Sequence, residues 1–99
     1  MPTNNDLIAK EEYCMHNNIE VAFIDRLYEY GLIEIRSVER KQFIQLDQLQ
    51  ELERFTRLHY DLDINMEGID AIANLLQKVK AMQEEIRALK SRLHIYTLE

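Results

Sequence analysis

Apolar residues recur along this chain at helical spacing in four places. Between Lys10 and Asn17, Tyr13 and Cys14 stand among polar residues, and the segment stops at Asn17-Asn18, two residues that favour turns and left-handed backbone. That predicts a short first helix. From Glu20 onward Val21, Ile24, Leu27 and Tyr28 fall at steps of three and four, the period of one helix face. Gly31 closes this second helix, because it accepts a positive φ without a Cβ clash. Two short helices across a tight turn make a helix-turn-helix pattern. Next, Ile33 to Arg36 and Gln42 to Gln45 flank a charged tip, Ser37-Val38-Glu39-Arg40-Lys41, which predicts a small β-hairpin or wing.

A third helix is expected to start near Asp47 and run through Leu49, Leu52, Phe55, Leu58 and His59, ending between Asp61 and Asn65. Asn65 then precedes Met66-Glu67-Gly68-Ile69. An Asn N-cap and an acid in the first turn satisfy exposed backbone N–H groups and suit the helix dipole, so a fourth helix begins here. Its apolar positions, Ile72, Leu75, Val79, Met82, Ile86, Leu89, Leu93 and Tyr96, alternate steps of three and four without a break. That is a heptad seam of the kind that pairs two helices. Lys78, Glu85 and Arg92 flank it with alternating sign. A helix this long overruns so small a domain, so the seam is expected to be covered by a second copy of the chain rather than by its own head.

With 99 residues, 46% of them apolar and 30% charged, and with only 2 Gly and 1 Pro, the chain is expected to be one helix-rich globular domain, too small to enclose a deep catalytic cleft. The formal net charge is -6 and the isoelectric point about 5.0. Such a surface repels phosphate backbones and favours a basic partner. The lone cysteine, Cys14, has no internal disulfide partner, and Met1 to Asp6 lacks the marks of a signal peptide. A cytoplasmic location is therefore expected. Charges interrupt every apolar run, which argues against a membrane span.

Chemistry is sparse. Cys14 and His16, two residues apart on a helix, point about 200° from one another and make poor joint ligands. His59 and His94 are read as single helix-face histidines, and Gly31 and Gly68, the only glycines, cannot form a phosphate loop. Neither catalysis nor a cofactor nor a metal is expected. Cys14, Tyr13 and Tyr28 are expected in the core.

The layout resembles the winged-helix head of MerR-type regulators: a helix-turn-helix ending in Tyr30-Gly31-Leu32-Ile33, a short wing, Gln42-Phe43, a third helix, then Asn65-Met66-Glu67-Gly68-Ile69 before a dimerising helix. In that family the second helix looks into the major groove and usually carries an arginine where this chain has Asp25. A carboxylate there opposes phosphate, so nucleic-acid binding is not expected to survive. Arg36, Arg40 and Lys41 in the wing are the remaining candidates for phosphate contact, although three charges on a turn are more commonly a solvated tip.

The chain is still more similar to the chaperone-modulator (CbpM-like) family. The likeness rests on Glu12-Tyr13-Cys14-Met15-His16, on Gly31-Leu32-Ile33-Glu34, and on Arg57-Leu58-His59-Tyr60-Asp61-Leu62 leading to Gly68-Ile69, and it continues to Arg92-Leu93. It implies binding to the J-domain of a DnaJ/CbpA-type co-chaperone, and inhibition by masking the surface used for the DnaK-type chaperone. The acidic charge is independently suited to a basic helix on such a partner. The candidate contacts are Asp25, Glu29, Asp47, Glu51, Asp61 and Asp63.

These readings give an all-α fold, a MerR-like winged helix-turn-helix head (residues 1–64) with a small β wing, and a long C-terminal helix (residues 65–99) that forms a homodimer, antiparallel as in the MerR class.

Overall fold

The computed structural model describes residues 6–97, and the side chains as far as residue 94. Strand β1 (Leu7–Ala9) leads directly into α1 (Lys10–Asn17), followed by α2 (Val21–Glu29), the hairpin β2 (Arg36–Val38) and β3 (Lys41–Gln45), a 3-10 turn at Leu46–Gln48, α3 (Leu49–Thr56), a π-helical turn (Arg57–Asp61) and α4 (Met66–Thr97). The helices end where the sequence places their stops. After α1, Asn18 takes the left-handed conformation at φ 59 and Ile19 N–H donates to the Cys14 carbonyl at 2.9 Å. After α2, Gly31 sits at φ 75, its N–H donates to Tyr28 and Leu32 N–H to Leu27, both at 2.9 Å. This double return satisfies two of the carbonyls that a helix end leaves orphaned.

The fold is predominantly helical, but it carries one more strand than the pattern predicts, so "all-α" gives way to a helical domain with a three-stranded antiparallel sheet in the order β1-β3-β2. Leu7, Ile8 and Ala9 face Gln45, Ile44 and Phe43, and Arg36, Ser37 and Val38 face Phe43, Gln42 and Lys41. Three residues without polar alternation carry no strand signature. β1 exists because the edge of β3 is there to pair with it. The first wing strand also starts three residues later than expected, at Arg36 instead of Ile33. Ile33 is drawn into the core, and Gln48 holds the Glu34 backbone in place, accepting from its N–H at 2.7 Å and donating to its carbonyl at 2.9 Å. That segment is a pinned connection rather than a strand.

The core lies between the head helices and the foot of α4. Phe23, Ile24 and Leu27 of α2 meet Tyr13 and Cys14 of α1, Ile44 of β3, Leu52 and Phe55 of α3, and Met66 and Ile69 of α4. Truncating one of the fully buried leucines to alanine would cost about 2–5 kcal/mol. Tyr28 faces outward instead of joining this core. The side that α2 buries is set by Phe23-Ile24 and Leu27, and Tyr28 lies off it. Asn65 caps α4 as its sequence position suggests, with Gly68 N–H donating to Oδ1 at 2.8 Å.

Candidate interaction surfaces

α2 is the element that would meet a groove or a partner, and its outward face is decided by its amphipathic pattern. With Phe23, Ile24 and Leu27 inside, the exposed positions are Val21, Ala22, Arg26, Tyr28 and Glu29. Arg26 is the single basic residue of the helix. Asp25 lies at the boundary and is not an independent acid: its carboxylate accepts from Lys10 Nζ at 2.8 Å, and the same ammonium donates to Gln42 Oε1. Lys10 is itself buried. One cation therefore fastens α1, α2 and β3 together, and the carboxylate that opposes DNA also neutralises a charge the head would otherwise bury unpaired.

The other candidate acids stand on separate elements. Glu29 is exposed at the end of α2, Asp47 in the 3-10 turn, Glu51 on α3 in an ion pair with Arg54 at 3.1 Å, Asp61 at the end of the π-helical turn, and Asp63 in the connection to α4, where it takes φ 58. They do not form one cluster. They are spread over the head in the way that serves long-range attraction better than a single contact.

At the junction of α3 and α4, the π-helical turn swings two consecutive rings onto α2. His59 stacks on Phe23 with centroids 4.6 Å apart, and Tyr60 meets Phe23 edge-on at 5.5 Å. His59 Nδ1 lies 3.0 Å from the Ile64 carbonyl, which assigns the proton to that nitrogen, and Glu20 N–H donates to the Tyr60 hydroxyl at 3.1 Å. His59 is thus a packing and bridging residue. Tyr30 donates to Glu67 at 3.1 Å, joining the end of α2 to the start of α4. The N–H of Glu67 itself, then Tyr30, then Arg26 hold the Glu67 carboxyl below the usual carboxylate range. Burial pushes the Cys14 thiol and the Tyr13 hydroxyl upward, so neither is ionised near neutrality. No group of His, Cys, Asp and Glu among the described residues is arranged to hold a metal ion.

The wing tip is strained. Val38 pairs with Lys41, leaving Glu39 and Arg40 as a two-residue loop at φ 50 and 69, the conformation for which Asn-Gly is preferred. Arg36, Arg40 and Lys41 are exposed.

α4 buries Met66 and Ile69 against the head, and Ala73, Leu76, Gln77 and Lys80 border a hollow that it shares with α3. From Asn74 to His94 every side chain is exposed. Leu75, Val79, Met82, Ile86, Leu89 and Leu93 are between 47% and 64% exposed and form a continuous apolar stripe along α4. Ile72, nearer the head, is half-buried. The Tyr96 side chain lies outside the described residues. At about 1.5 Å per residue, the part of α4 beyond Ala73 reaches roughly 35 Å from the head. No helix among the described residues is long and apolar enough to cross a membrane.

Two features escaped the sequence reading. Lys10 looks like a solvated lysine at a helix start, and only the fold reveals that the β1–β3 pairing and α2 enclose it. Met15 is 79% exposed, more than any other described large apolar residue of the head. Its placement on the face of α1 away from Tyr13 and Cys14 is the signal that could have found it.

The family model for MerR HTH family regulatory proteins matches residues 8–91. Among curated proteins, the chain is similar to the chaperone modulatory protein CbpM of Pseudomonas putida, 28% identical over 85% of this chain and 84% of the relative. It is similar to CbpM of Pseudomonas entomophila, 25% identical over the same shares, and to that of Escherichia coli, 24% identical over 83% of this chain and 82% of the relative. No solved structure matches.

Proposed function

The chain belongs to the MerR helix-turn-helix family of regulatory proteins, and from that premise we propose that it is a non-enzymatic, cytoplasmic chaperone modulator: it binds the J-domain of a DnaJ/CbpA-type co-chaperone and inhibits it by masking the surface used for the DnaK-type chaperone. The observation that carries this reading is the chemistry of α2. A helix that reads DNA needs donors toward phosphate and base edges. Here a single Arg26 faces outward between Glu29 and the Lys10-paired Asp25, in a chain of net charge -6. The same acidity attracts a basic protein surface and speeds encounter with it. The relatives named as chaperone modulatory proteins supply the class of partner. Of the candidate acids, Glu29, Asp47, Asp61 and Asp63 serve the attraction. Glu51 is shared with Arg54, and Asp25 serves the fold.

The second part of the proposal is a homodimer through Ile72, Leu75, Val79, Met82, Ile86, Leu89, Leu93 and Tyr96. An apolar stripe of this length is unfavourable in water, and its heptad spacing matches a second copy of itself. The charges beside it constrain an antiparallel pair. Full overlap would set Glu85 against the partner's Glu85 and Lys78 against the partner's Arg92. A one-heptad displacement toward the heads brings Lys78 to the partner's Glu85 twice.

The assay is DnaK-type ATPase turnover stimulated by the co-chaperone of the same cell. Addition of the chain should suppress the stimulated rate and leave the basal rate unchanged. An unaffected stimulated rate at saturating modulator would contradict the reading. The alternative, a MerR-like DNA-binding transcriptional regulator, draws on the exposed Arg36, Arg40 and Lys41 of the wing. It predicts a DNA mobility shift whose strength falls steeply with salt.

A further inference from the structure

The exposed methionine of the head marks where a partner would sit. On α1, Glu11 and Met15 share one face by their spacing of four, and Asn18 follows at the helix end. The reversal at Asn18 brings the start of α2 beside them. Together they border an open, shallow depression of about 470 Å³ lined by Glu11, Cys14, Met15, Ile19, Glu20 and Val21, along with Asn18. Its wall is largely apolar, and the two ionisable groups at its margins that carry charge are both carboxylates. Burial keeps the Cys14 thiol neutral. Tyr60 extends the surface past Glu20, because its hydroxyl accepts from the Glu20 backbone, and the residue is 42% exposed.

We propose that this α1–α2 depression is the docking surface for a basic amphipathic helix of the partner protein, with apolar side chains of that helix against Met15 and Val21 and its Lys or Arg residues paired with Glu11 and Glu20. Charge complementarity selects this occupant: among the described residues, Glu11 and Glu20 are the charged groups lining the apolar floor, and the wing cations Arg40 and Lys41 belong to the adjoining hollow that shares Glu11 and Val21 with it. Methionine suits the role because its unbranched, polarisable side chain adapts to the surface it meets. The proposal rests on the reading that the chain binds a basic co-chaperone surface, and it adds where on the head that surface lands. It also separates attraction from contact. The dispersed acids raise the encounter rate, while Met15, Val21, Glu11 and Glu20 determine how long the complex lasts.

The test uses the full chain with 13C-labelled methionine methyl groups, titrated with the intact CbpA-type co-chaperone of the same cell. The proposal predicts that the Met15 methyl signal shifts or broadens on binding, while Met66 in the core and Met82 on α4 stay in place. Met15→Ala and the double variant Glu11→Gln/Glu20→Gln should each weaken binding about tenfold or more. Their melting temperatures should be unchanged, since these side chains are exposed. Binding with an undisturbed Met15 signal, or with affinity unchanged in both variants, overturns the docking surface and leaves the modulator function standing. Absence of any binding by the wild-type chain overturns that function and this proposal with it.

Discussion

Removing either end of the Lys10–Asp25 pair should have very different consequences, because its two side chains are 9% and 46% exposed. Asp25→Ala leaves an ammonium enclosed by α1, α2 and β3 with only the Gln42 amide as acceptor. Breaking a buried pair at one end costs about 3–5 kcal/mol. Water reaches this pair from the Asp25 side, which lowers the expectation to about 2–3 kcal/mol. In a domain of this size that corresponds to a fall in melting temperature of roughly 10–20 °C. Lys10→Met removes the cation instead. The methionine fills the volume of the lysine stem, Asp25 is rehydrated, and the loss should stay below about 1 kcal/mol. The double variant should recover most of what Asp25→Ala loses. Thermal and urea unfolding of all four proteins at one fixed protein concentration measures this, the concentration being held because dimerisation would shift every value. A Lys10→Met loss equal to that of Asp25→Ala, or simple additivity in the double variant, would refute the clasp. The result matters for function: an Asp25 variant that loses its partner has lost part of its fold, whereas Glu29→Lys tests electrostatic attraction cleanly.

Gly68→Ala should destabilise the protein by about 1–3 kcal/mol although alanine is the better helix former, because a Cβ there meets Ile64 Cγ2 at 2.7 Å and the capping Asn65 Oδ1 at 3.1 Å; stabilisation on urea unfolding would contradict this. The lowered pKa of Glu67 gives a signed pH effect. Its contribution is complete above the ordinary glutamate value of about 4.3 and fades as pH falls through the lower folded value, so Tyr30→Phe should reduce the loss of stability seen on acidification below that pH, and an unchanged slope would contradict the contact. Ile86→Asp should turn a dimer into a monomer in sedimentation equilibrium, weakening association by about 100-fold or more through a buried unpaired carboxylate; a persistent dimer would mean that the heptad assignment is wrong.

The sequence alone carried the helix limits, because Asn17-Asn18, Gly31 and Asn65 each act within one or two turns of where they stand. The heptad of α4 was legible for the same reason: its period survives for three turns and more without any tertiary information. What stayed hidden depends on long-range contacts. β1 is too short to have a pattern and is defined by the edge of β3. Lys10 becomes a buried cation only when Asp25 and Gln42, 15 and 32 residues away, close over it. Tyr28 satisfies helical spacing with Leu27 and Ile24, yet the side that α2 buries is centred on Phe23. The exposed Met15 follows from the same choice of faces. A family likeness points to a partner class, while the proposed docking surface becomes visible only when the fold sets α1 and the start of α2 side by side.

The most direct test of the central claim is calorimetric titration of the full chain with the intact co-chaperone, alongside a co-chaperone lacking its J-domain. Binding to the first should be saturable and should weaken as salt rises because acidic residues steer the encounter, and the second should not bind. Equal binding to both, or binding to neither, would contradict the claim that this chain modulates a chaperone system through the J-domain.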